Sequence, residues 1–137
     1  MSKPKLSPQK LLAEIKKTDL GVYLLNHLQD LDVSVAIVDR MGDCGGLFDS
    51  FNRQIKIDSS LSMAEALHTF AHESRHAAQM MNVRADGQIQ GRLGGMTRTF
   101  NITSNPHSFA MHLLMAEIDA DVFAVYFLHD HRVKTGS

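Results

Sequence analysis

Residues 72–76 read His-Glu-Ser-Arg-His. On a helix, positions i and i+4 leave the same face, so the imidazoles of His72 and His76 can reach one ion at about 2.0–2.1 Å from each nitrogen. Glu73 follows the first histidine at the edge of that face, where its carboxylate can hydrogen-bond a metal-bound water instead of ligating the metal. This H-E-x-x-H spacing combines two nitrogen donors with a general base, the parts needed for metal-assisted hydrolysis. A catalytic zinc site keeps three protein ligands and one open position, so a third donor must come from elsewhere. Glu117 and Asp121 also stand i,i+4, while Asp119 points away from their shared face. Glu117 as third ligand completes a His₂Glu set. Asp121, one turn on, is placed to accept the N–H of a ligand histidine, which would fix that ring's tautomer and orientation.

Two helices must hold these groups. Ser62-Met63-Ala64-Glu65 is a capping box, and the helix it opens is expected over 62–82. Asn105-Pro106 reads as a cap followed by proline at the first helical position, opening a C-terminal helix over 105–130. Ala116, Ala120 and Ala124 on that helix suit close approach to a neighbour. Upstream, Ser7-Pro8 and Thr18-Asp19 each signal a helix start, placing N-terminal helices within 1–32, either separate or as one bent helix. The β-branched run from Val33 to Asp39, then Leu47-Phe48-Asp49 and the alternating Gln54-Ile55-Lys56-Ile57-Asp58, predict a three-stranded antiparallel meander over 33–58. Residues 83–104, with four glycines, read as a loop containing one strand at Thr97–Ile102. The expected class is α+β, in a single domain spanning 1–137.

Composition narrows the function. Fourteen basic and fifteen acidic side chains leave a formal charge of −1, which supplies no field for collecting phosphates, so no nucleic-acid partner is expected. No apolar run approaches the roughly 20 residues of a membrane helix, and no secretory leader fits residues 1–17. Cys44 is the single cysteine, which excludes disulfides and cysteine-type zinc sites and makes a cytoplasmic location the expectation.

The hairpin-like segment Gly46–Asp58, the helix Thr69-Phe70-Ala71-His72-Glu73-Ser74-Arg75-His76-Ala77 and the helix Met115-Ala116-Glu117-Ile118-Asp119-Ala120-Asp121 together resemble the minimal gluzincin-type zincins, including the ImmA/IrrE-like metallopeptidase domains. The resemblance implies a zincin-like fold and one Zn²⁺ per chain held by His72, His76 and Glu117. It implies Glu73 as general base and a peptide or protein as substrate. Arg75 stands where those domains often carry a small or aliphatic residue, and either reaches the cleft or faces solvent. An extended substrate could pair with a sheet edge, expected at Gln54–Asp58. A donor to the developing oxyanion is also expected, with His107, His112, Arg98 and Tyr126 as candidates. His27, His68, His129 and His131 read as structural or surface residues. The alternative is a zincin-like regulatory module with a structural metal or none. A third reading is a metal-free helical interaction protein.

Overall fold

The computed structural model describes residues 5–42, 44–80, 88–93, 96–101 and 106–136, with side chains for 5–42, 44–80, 110, 111 and 113–136. The two N-terminal helices are separate: α1 (Pro8–Ile15) and α2 (Asp19–Asp30). Both expected caps form, since Ser7 Oγ accepts from Lys10 N–H and Thr18 Oγ1 from Gly21 N–H. Gly21 is there for space. A Cβ at that position would lie 1.7 Å from the Ile15 carbonyl oxygen, so only glycine lets α2 begin against the end of α1. The C-terminal end of α2 closes with paired bonds from Asp32 N to Gln29 O (3.0 Å) and Val33 N to Leu28 O (2.9 Å), with Asp32 at φ 58°.

Three strands follow: β1 (Ser34–Val38), β2 (Gly46–Asp49) and β3 (Gln54–Asp58). Their order is β1-β3-β2, with β3 antiparallel to β2 and parallel to β1. The sheet is therefore mixed, and the expected antiparallel meander is incorrect. Residues 50–53 make a tight turn held by Asp49 Oδ1, which accepts from Phe51 and Asn52 N–H, so β2 and β3 must pair as a hairpin. The connection between β1 and β2 is longer and lets β2 pass to the far side of β3. Ile55 and Ile57, both fully buried, put β3 in the centre, where both neighbours satisfy its backbone.

Helix α3 (Met63–Met80) opens with the reciprocal capping box: Glu65 N–H to Ser62 Oγ at 3.2 Å and Ser62 N–H to Glu65 Oε1 at 3.1 Å. Residues 81 and 82, included in the expected helix, lie outside the described residues. Within 83–104 the chain is not a plain loop. Strands β4 (Gln88–Leu93) and β5 (Met96–Asn101) pair antiparallel, and β5 falls where one strand is expected. Helix α4 (Pro106–Thr135) runs past its expected end, while its expected cap, Asn105, lies outside the described residues. Among the described residues the architecture is α+β, with four helices, a three-stranded mixed sheet and a two-stranded hairpin. No helix among them is long and apolar enough to cross a membrane.

The core joins Leu11, Ile15, Leu24 and Leu28 of the first two helices to Ile55, Ile57, Leu67, Phe70 and Phe127. The Phe70 and Phe127 rings pack with centroids 6.1 Å apart, tying α3 to α4. Ala116, Ala120 and Ala124 are buried, as close helix approach requires. With no side chain beyond Cβ at these positions, the α4 backbone can come near α3, and carboxylates on α4 come within reach of the α3 histidines.

Candidate metal centre

His72 and His76 leave one face of α3 with ring centroids 4.6 Å apart and planes nearly perpendicular. Glu117 of α4 reaches across to both. Its Oε1 lies 2.8 Å from His72 Nε2, and its Oε2 lies 2.9 Å from His76 Nε2. The two rings and the carboxylate are thus brought together. Ligand atoms of a tetrahedral ion with bonds of about 2.0–2.1 Å stand roughly 3.3 Å apart. Glu117 meets the two rings through different oxygens, and the groups whose donor atoms lie within 4.8 Å of one another and could hold a metal ion are His72, Glu73 and His76, and His72, Glu117 and Asp121.

Asp121 differs from expectation. Its Oδ1 lies 3.0 Å from His72 Nε2, the same nitrogen that faces Glu117, so it does not support the ring from behind. One helical turn separates Asp121 from Glu117, and that places both carboxylates over one face. A residue not singled out from the sequence supports His76 instead. Gln79, buried on α3, accepts from His76 Nδ1 through Oε1 at 2.9 Å. Its amide nitrogen donates to Ala116 O at 3.1 Å and Asp119 Oδ2 at 2.8 Å. Because the nitrogen is committed to those two acceptors, the oxygen must face the ring. An amide oxygen only accepts, so His76 Nδ1–H donates to it and the ring's Nε2 is turned to Glu117 across the cleft.

Asp119 points away from the cleft as expected, yet it has a partner. Arg75 grips it through Nε (2.7 Å) and Nη2 (3.2 Å), and the guanidinium lies 5.1 Å from the centroid of Phe123. Arg75 therefore neither enters the cleft nor stands free in solvent. A bidentate pair of this kind fixes orientation as well as distance, so it sets how α4 is rotated relative to α3.

Glu73 is buried, and its Oε2 has no hydrogen-bond partner. That oxygen is 3.6 Å from His72 Nδ1, an ion-pair distance too long for a hydrogen bond. The Glu73 carboxylate is the main reason the His72 ring titrates high, pushed up to about 9. Burial opposes the shift, while Glu117 and Asp121 add to it.

The cleft around these groups has a volume of about 380 Å³ and is bordered by Gly45, Gly46, His68 and Thr69 as well as His72, Glu73, His76, Glu117 and Asp121. His68, read from sequence as structural, belongs to this wall, with its ring 6.4 Å from that of His72. A neighbouring hollow of about 620 Å³ shares Cys44, Gly45, His68 and Thr69 with it and continues toward Arg132. Strand β2 can border the cleft because Gly46 has no side chain. A Cβ there would meet Thr69 Cγ2 at 2.3 Å. The strand expected to offer a free edge, Gln54–Asp58, is central and offers none. Among the described residues β2 is an outer strand of the sheet, and its Gly46 borders the cleft.

Tyr126 is exposed on α4 and does not line the cleft. His107, His112 and Arg98 lie on α4 and β5 with side chains outside the described residues. His27 stacks on Tyr23, and buried His131 lies 3.2 Å from Glu14, far along α4 from the cleft. No family model, curated protein or solved structure matches this chain. Its own geometry is what bears on function.

Proposed function

We propose that the chain is a zinc-dependent metallopeptidase of the minimal gluzincin type. The observation that carries the reading is the single carboxylate of Glu117 meeting Nε2 of both His72 and His76 within 2.9 Å. His72, His76 and Glu117 would hold the zinc. When bound, zinc supplies a Lewis acid that acidifies water and polarises a carbonyl. Glu73, a buried carboxylate with an unpartnered oxygen beside the cleft, takes the proton of the attacking water and returns it to the leaving amine. By accepting from Nδ1–H, Gln79 would leave His76 Nε2, the nitrogen that faces Glu117, as the one to bind the ion. The two adjoining hollows that share Gly45 and His68, bordered by the outer strand β2, suit an extended peptide. The test is Glu73→Gln. Zinc stoichiometry should stay near that of the wild type, while peptide hydrolysis falls roughly a hundred- to ten-thousand-fold. Wild-type activity in that variant, or wild-type activity that persists with chelator, removes the proposal.

One observation favours a second reading. Asp121 Oδ1 stands at His72 Nε2 beside Glu117, so a fourth protein donor is near the centre. Four protein ligands close a zinc site, and closed sites are structural. Under that reading the domain holds zinc to fix α3 against α4 and acts through protein contacts. The exposed Asp121 touches one ring only, whereas Glu117 touches both, and a purely structural site has no use for Glu73. These features favour the enzyme.

A further inference from the structure

Helix α4 is apolar on two opposite sides. Its inner side, through Ala120, Ala124 and Phe127, is buried against the rest of the chain. Its outer side carries Met111, Met115, Ile118, Val122 and Val125, all 44–65% exposed. Their spacing alternates four and three residues, which is the repeat that keeps one seam of a helix facing a second helix along its length. Helices apolar all round are ordinarily covered on every side, and α3, with 18 residues, covers only the inner side of the 30-residue α4.

We propose that two copies of this chain associate through the outer face of α4, with Val122 near the two-fold axis. A two-fold axis presents the same patch from both partners, and a regular apolar seam is complementary to itself. With Leu114 and Tyr126 widening it, the exposed area of the patch is roughly 700 Å², close to the 800 Å² or so that each partner contributes to a standard stable interface. Charge argues against a lipid surface as the occupant. The charged side chain flanking the middle of the seam is Asp121, and the Lys and Arg side chains of α4 itself, Arg132 and Lys134, stand at its far end. Because Asp121 both borders the seam and lines the cleft, association would place the partner's α4 at the rim of that cleft.

Light scattering after size exclusion should give twice the chain mass for the wild type, and the chain mass for the double variant Ile118→Asp, Val122→Asp with its helical content retained. A wild type that is monomeric at about 100 µM, where even a weak interface of this size would populate, overturns the proposal. So does a variant that stays dimeric. Should the double variant fail to fold, Cys44→Ser combined with Val122→Cys decides: oxidation should give a disulfide-linked dimer in high yield, and its absence counts against the seam. Binding of monomeric wild type to vesicles of phosphatidylcholine and phosphatidylglycerol would assign the face to lipid and also overturn it.

Discussion

Gln79 Oε1 lies 2.9 Å from His76 Nδ1, and the same amide's nitrogen bonds Asp119 Oδ2 and the Ala116 carbonyl on the opposite helix. One side chain therefore orients a ring that faces the cleft and joins the two helices on either side of it. Gln79→Leu keeps the volume and removes both functions. Zinc affinity measured by competition titration should fall about 10- to 100-fold, with far-ultraviolet circular dichroism unchanged. Wild-type affinity in this variant would mean that the ring needs no support.

Glu117 touches both rings and Asp121 touches one. Glu117→Ala should lose zinc on dialysis and show no zinc-dependent rise in melting temperature, because an ion that binds only the folded state stabilises in proportion to its affinity. Asp121→Asn should keep the metal and lose less than about tenfold in affinity. If the two variants behave in reverse, Asp121 is the ligand. If both lose the metal, the closed structural site is favoured.

The raised His72 value, about 9 against an ordinary 6.5, implies opposite pH responses with and without metal. In the metal-free chain the protonated ring sits among Glu73, Glu117 and Asp121. The stability it contributes is full below pH 6.5 and is lost as pH climbs through about 9. Metal uptake displaces that proton, so affinity should rise over the same window, with protons released on binding. Thermal unfolding of the metal-free protein between about pH 6 and about pH 10 tests the first part, with His72→Gln expected to flatten the slope. A melting temperature that rises across that window would contradict it.

Gly46 and Thr69 are matched in shape. A Cβ at Gly46 would lie 2.3 Å from Thr69 Cγ2 and 2.9 Å from Lys56 O, so Gly46→Ala pushes β2 away from α3. Overpacking of this kind costs about 1–3 kcal/mol, read as a lower denaturant midpoint. Thr69→Ser removes the nearer atom, so the double variant should recover part of the loss. A purely additive double variant would show that the two positions do not touch.

Local rules carried much of this fold without reference to anything distant. The caps at Ser7, Thr18 and Ser62 are visible because capping is settled within one turn. The shared face of His72 and His76 follows from helical pitch alone, and the small residues at 116, 120 and 124 already mark α4 as a helix that packs closely. Strand order was not legible. The antiparallel expectation rests on sequential strands pairing, whereas β3 sits between the other two because its isoleucines need cover and its backbone needs two partners.

The amino-acid sequence by itself determined which groups are available for chemistry: two imidazoles on one face, a carboxylate beside the first, and a second pair of carboxylates one turn apart far downstream. The tertiary structure alone decided which of those carboxylates meets both rings, that Asp121 shares a nitrogen with Glu117, and that Gln79 and the Arg75–Asp119 pair set the helices in register. Those outcomes depend on the distance and rotation between α3 and α4, which the packing of alanines, Phe70 and Phe127 sets across chain separations that no local spacing encodes.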